Sequence, residues 1–325
     1  MSRGLPRTEQ RYPCTECWKV SSYHAAGRSV AIGILVRIDW TVELTYVPRM
    51  TRILAALSVT LLASWPVAPA FSQWLNAPPA DIPRTADGEV DLEAPPPRLG
   101  SGRIDLQGIW MPDDNRYIRD LAVDLGDEKV PYQPWAKRLF DERKDGAHSR
   151  EDPDAHCLPQ GVPKIDFVSY PWKLLETPSS IVILYETFTF WRQIFTDGRG
   201  VDANARPTWM GYSTGAWDGD TLVVQTIGFN GKAWLDQLGR PTTDQLRVTE
   251  RFTRTHFGHM KIEVTIDDPG AYTAPWSAAQ VVHYRDGWEP LEFICTENNK
   301  DVDHLPGGEP GLTNLEAAKQ KGYLD

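Results

Sequence analysis

The sequence predicts an all-β domain with minor helix, built as an antiparallel up-and-down barrel or a strongly curled sheet. Three observations carry that prediction. From about Lys173 the chain is a succession of runs rich in Val, Ile, Thr, Phe, Tyr and Trp, which suit a pleated surface. Short turn signals separate the runs, among them Asp197-Gly198, Asp218-Gly219 and Asp286-Gly287. Only two segments read as helix. A meander of this length curls, because a flat sheet leaves two open edges and closure removes both.

The elements follow in order. Ordered structure opens at Asp105-Leu106-Gln107-Gly108-Ile109-Trp110. Residues 134–144 read as a helix, with Pro134 in the first turn and Gly146 just past the end. Residues 147–163 read as loop, with prolines at 153, 159 and 163. Residues 180–196 read as one long strand. Residues 209–217 and 221–229 form a hairpin about Asp218-Gly219-Asp220. Residues 246–255 and 259–266 pair around Gly258, and residues 280–285 and 290–296 pair around Asp286-Gly287. Thr313-Asn314-Leu315-Glu316 is a capping box that opens a short helix. The barrel domain is thus 101–305, followed by a tail at 306–325. A lead-in at 73–100, rich in Pro, Ala and Asp, reads as extended chain.

Upstream, residues 50–72 have the pattern of a secretory signal peptide. Arg52 follows Met50, an apolar stretch runs from Ile53, and small residues stand at Ala68, Ala70 and Ser72. The alternative is a signal-anchor, but Pro66 and Pro69 interrupt the stretch. Residues 1–49 then read as an upstream extension, with Met50 as the working start. The expectation is a periplasmic or secreted protein with no stable membrane span after cleavage. Net charge is −10 and pI about 5.2, with no long basic tract, so a nucleic-acid partner is not expected. Cys14 and Cys17 form a lone C-x-x-C inside the extension. Cys157 and Cys295 are the two cysteines left to an exported chain, and such a pair normally bridges. Two buried free thiols are the alternative.

Candidate chemistry comes from strand alternation, since every second residue shares a face. In the long run, Val182, Leu184, Glu186, Phe188, Phe190 and Arg192 share one. Leu246, Val248, Glu250 and Phe252 share another, as do Val281, His283 and Arg285. Leu291, Phe293, Cys295, Glu297 and Asn299 form a fourth. If all point inward, Glu186, Arg192, Glu250, His283 and Glu297 converge in an apolar lumen. There they bind a ligand, act as acid and base, or pair off as a plug; bulged strands would instead turn them to solvent. Trp191, Trp209 and Trp217 suit stacking on a ring-shaped ligand, or core packing. His256 and His259, with Glu263 nearby, fall around a hairpin turn that does not prearrange a ligand set. No metal and no cofactor is expected. A nucleophile elbow, a dinucleotide fingerprint and a P-loop are absent from the sequence.

Two resemblances add to this. Gly108-Ile109-Trp110 resembles the G-x-W opening of lipocalin-like (calycin) barrels. The string Gly215-Ala216-Trp217-Asp218-Gly219-Asp220-Thr221-Leu222-Val223-Val224 is part of a second resemblance, with Gly228-Phe229-Asn230, Thr249-Glu250-Arg251-Phe252, Thr265-Ile266-Asp267-Asp268-Pro269 and Cys295-Thr296-Glu297-Asn298-Asn299. Together they resemble a group of exported bacterial β-rich proteins of uncharacterised function, over about residues 105–305. That resemblance implies export and a β-rich domain, and transfers no catalytic residue. The leading expectation is an exported barrel that binds a small, largely apolar ligand in its lumen. The alternatives are an envelope isomerase or hydrolase, with Glu186 or Glu250 as base and His283 as acid, and a structural or interaction protein of the envelope.

Overall fold

The computed structural model describes residues 82–324 apart from 203 and 298. The signal-peptide segment at 50–72, the extension at 1–49 and its Cys14-x-x-Cys17 lie outside the described residues. Nine strands close into a barrel in sequence order. They are β1 (Gly108–Met111), β2 (Trp172–Glu176), β3 (Ser180–Tyr185), β4 (Trp191–Phe195), β5 (Tyr212–Asp218), β6 (Thr221–Ile227), β7 (Arg247–His256), β8 (His259–Asp267) and β9 (Trp276–Tyr284). β9 pairs back onto β1 and closes the ring. Every neighbouring pair is antiparallel except β4 and β5, which run parallel from Ile194 opposite Ser213. The chain leaving β4 at Thr196 therefore runs back along the wall before β5 begins. Three α-helices lie among the described residues: α1 (Arg116–Arg119), α2 (Pro134–Arg143) and α3 (Asn314–Gln320). Thr313 and Glu316 form the capping box at the start of α3.

The run read as one strand at 180–196 is two strands joined by a tight turn. Tyr185 N–H donates to Phe190 O at 2.8 Å, and Thr189 N–H donates to Glu186 O at 2.9 Å. Phe188 and Thr189 both take φ of 55°, the left-handed region that L residues avoid. The parity of β3 is consequently opposite to the expected one. Ile181, Ile183 and Tyr185 are buried, while Leu184 is exposed. The turn shifts parity again, so Arg192 and Ile194 point inward on β4. On β7 the expected face is correct, with Val248, Glu250 and Phe252 buried. Residues 290–296 are not a strand. They lie against the β3–β4 turn, where Leu291 N–H donates to Glu186 Oε2 at 2.9 Å and Phe293 N–H to Thr189 Oγ1 at 3.0 Å. A disulfide joins Cys157 to Cys295 and fixes this strap to the segment before β2.

Each end of the barrel is closed by the chain itself. At the end where β3 turns into β4, residues 160–168 enter the barrel and every one of them is buried. They include a short helical turn, Lys164–Phe167. The fully buried Lys164 ammonium stands 2.8 Å from Asp152 and 3.4 Å from Asp154, which neutralises its charge at the base of this plug. At the opposite end the lead-in packs across the β7–β8 hairpin. Gly258 N–H donates to Leu92 O and Phe257 N–H to Ala94 O, each at 2.8 Å. Gly258 permits that approach, because a Cβ there would come within 2.6 Å of Leu92. Arg98 ties the same segment to Asp220 through bonds of 2.9 and 2.7 Å. Between the ends lie buried Phe252, Met260 and Ile262, each worth about 1.5–3 kcal/mol on removal from water.

Candidate functional site

The lumen carries a polar layer rather than an open polar cavity. Arg192 on β4 and Glu250 on β7 face each other, and Asp166 from the plug meets both. Arg192 Nη1 donates to Glu250 Oε1 at 3.1 Å and to Asp166 Oδ2 at 3.2 Å, and Nη2 donates to Glu250 Oε2. Its remaining donors reach Thr226 Oγ1 at 2.9 Å and Ser213 Oγ at 3.1 Å. Tyr185 donates to Asp166 Oδ1 at 2.6 Å, and Gln280 Nε2 to the Asp166 carbonyl at 3.2 Å. Burial, and then the adjoining Glu250 carboxylate, push Asp166 well above the usual carboxylate range. Burial works against the Arg192 charge, but Glu250 and Asp166 outweigh it and hold its pKa above the ordinary value. Arg192 brings one positive charge to two carboxyl groups, so the layer balances when that pair carries a single negative charge. The layer is hydrogen-bonded on every side by the protein's own groups.

One of the surface clefts lies at the mouth, over the plug. A cleft of about 230 Å³ is lined by Asn115, Ile118, Asp154, Gln160, Val168, Tyr170, Thr187, Phe188, Gln237 and Phe293. Its aromatic wall is built from three separate segments. Phe293 on the strap stands 5.5 Å from Phe188 and 5.4 Å from Tyr170, ring centre to ring centre. Its polar side is set by the plug. Gln160 is 4% exposed, and its Nε2 donates to both oxygens of Asp154, at 2.9 and 2.8 Å. Its Oε1 is buried with no hydrogen-bond partner. An unpaired buried carbonyl costs about 1–3 kcal/mol, and among the buried side-chain atoms without a partner this one belongs to a residue that lines the mouth cleft. The α1 side is held by Gln237 N–H donating to Ile118 O at 2.9 Å. Behind it, fully buried Arg240 pairs with Asp236, Asp120 and Asp127.

Comparison with protein-family models, curated proteins and solved structures finds no match.

Of the five groups expected to converge, the structure brings together Arg192 and Glu250. Glu186 sits at the rim and accepts from the strap. His283 lies on the outer wall, 3.1 Å from Asp113, because Gln280 and Val282 take the inward parity of β9. Burial, then the neighbouring His259 and Arg285 against Asp113, lower its pKa from the ordinary value. Glu297 is exposed in a short turn, Cys295–Glu297. Glu186, Glu250 and His283 thus share no site, and the acid–base pairing expected of them does not form. Trp191 is 65% exposed on the outer wall, opposite Leu184. Trp209 is half-buried in the β4–β5 connection. Trp217 packs on the core beneath the Arg103 guanidinium, 4.4 Å away. None of the three lines the mouth cleft. The sequence reading missed Asp166, Tyr185, Asp154 and Gln160. The first could have been suspected from Lys164-Ile165-Asp166-Phe167, where charged and apolar residues alternate just past the loop read at 147–163. His256 and His259, expected to flank a hairpin turn, are direct cross-strand partners.

Proposed function

We propose that this protein is an exported β-barrel that binds a small, ring-bearing polar molecule at its mouth rather than an apolar one in its lumen. The single observation that carries the reading is the Gln160 carbonyl, buried without a partner beside an aromatic wall. A ligand donor, a hydroxyl or an amine, satisfies that acceptor while its ring rests against Phe188, Phe293 and Tyr170. The left-handed Phe188 and Thr189 support the reading, because backbone strain of this kind gathers at binding sites. The Cys157–Cys295 bridge supports an oxidising compartment and holds Phe293 in the wall. No described helix is long and apolar enough to cross a membrane. The secretory pattern at 50–72 gives the export route, to the periplasm or beyond.

The test is saturation-transfer NMR and thermal shift with monosaccharides, phenols and aromatic amines. The expected result is saturable binding by at least one of these classes. Phe188→Asn, a residue that tolerates the left-handed region, and Gln160→Leu each abolish it while the protein still melts cooperatively. Binding that survives both substitutions, or no binding across the three classes, would falsify the assignment.

A further inference from the structure

The end of the barrel opposite the mouth carries a different constellation. His256 ends β7 and His259 begins β8, and the two are paired directly across the hairpin. Their rings are 5.7 Å apart, centre to centre. Glu93 arrives from the lead-in and stands 3.5 Å from His259 Nδ1. One ligand atom from each of the three lies within 4.8 Å of the others. Glu93 is also held in place. The residues on either side of it, Leu92 and Ala94, accept the two backbone bonds from the hairpin turn. Its own N–H donates to Asp91 Oδ1 at 3.1 Å.

We infer that Glu93, His256 and His259 form a binding site for a divalent transition metal, with Zn²⁺ as the best fit. Two imidazoles and one carboxylate are the donor set of a three-ligand zinc site with its fourth position open to water. Ligand atoms around tetrahedral zinc stand about 3.3 Å apart, so the three groups need to close by roughly 1.5 Å at most. Side-chain rotation covers that distance, since Glu93 and His256 are exposed and free to turn. His283 packs edge-on against His259 with ring centres 4.9 Å apart, and its own Nε2 stands 3.1 Å from Asp113, so the His259 ring is braced from the neighbouring strand. The net negative charge of the chain favours a cation. A metal here joins the lead-in to the hairpin, so it staples the closed end of the barrel.

The experiment is calorimetric titration of ZnCl₂ into untagged, chelator-treated protein, with Co²⁺ absorption as a second readout. The expected result is one saturable Zn²⁺ site per chain and Co²⁺ bands of tetrahedral intensity. His256→Ala and Glu93→Gln each weaken binding at least about tenfold, with the near-ultraviolet circular dichroism unchanged. Absence of saturable heat at millimolar Zn²⁺ overturns the inference. So does an unchanged affinity in either variant, because the site requires all three ligands.

Discussion

Replacing Arg192 by methionine tests the polar layer most directly. The guanidinium donates to four side chains and is almost wholly buried. Methionine keeps the volume but leaves Glu250 as an uncompensated carboxylate that is 0% exposed. Breaking a buried pair from one side costs about 3–5 kcal/mol. Ser213 and Thr226 lose a donor each but retain one another at 3.0 Å, so they add little. Glu250→Leu alone leaves Arg192 with Asp166 still 3.2 Å away, so the cation keeps a carboxyl partner. That variant is therefore the milder of the two. The double variant removes the guanidinium and its bidentate partner together and leaves Asp166 bonded to Tyr185, so most of the Arg192→Met loss returns. The coupling between the two positions is expected to be about 2–3 kcal/mol. Urea unfolding followed by tryptophan fluorescence gives all four stabilities, with a constant m-value as the check on comparability. If the two single losses add within about 0.5 kcal/mol, Arg192 and Glu250 do not act as a pair and the argument fails.

Three further outcomes follow from the same geometry. The folded-state pKa of Asp166 lies above its unfolded value, so the stability it contributes is complete below about pH 3.9 and is lost as pH rises through the folded value. Asp166→Asn is neutral throughout, so its stability should fall less steeply over that rise; equal slopes in parallel urea series would refute the assignment. Reducing the Cys157–Cys295 bridge, which closes a separation of 138 residues, should cost about 2–5 kcal/mol and weaken mouth-cleft ligands by freeing Phe293. Loss of stability with undiminished binding would separate the strap from the site. Gly258→Ala puts a methyl into Leu92, which should cost about 1–3 kcal/mol and speed amide exchange at Phe257. A variant with the parent's melting point and protection would show that the lead-in is not packed there.

What the sequence reveals depends on whether turns carry their usual markers. Strands β5 to β8 are legible because Asp218-Gly219 and Gly258 punctuate them, and parity then places Glu250 inward without further help. The β3–β4 turn is illegible. Left-handed residues are normally Gly or Asn, and here Phe188 and Thr189 occupy the positions inside a β-branched, aromatic run. The alternation read through that turn assigns Val182, Leu184 and Glu186 to the wrong side. Arg192 points inward only because the turn shifts parity. The strap at 290–296 has alternating apolar residues but no strand to pair with, so periodicity alone overstates it.

The plug is the deeper lesson. Alternation describes the wall of a barrel and is silent about what fills it. Wall residues Arg192 and Glu250 interrupt an apolar face, which implies that something polar completes it, whether a ligand, water or the chain itself. Asp166 completes it, contributed by the short turn that directly follows the proline-bearing stretch read as loop at 147–163. Its burial beside Arg192 and a second carboxyl group is what pushes its pKa up, since a third full charge in so dry a layer is costly. The same insertion that closes the lumen carries Gln160 to the rim and spends its amide on Asp154. One acceptor is left over. The plug therefore fills the middle of the barrel and leaves that acceptor at the floor of the mouth cleft, beside the aromatic rings that the turn and the strap place there.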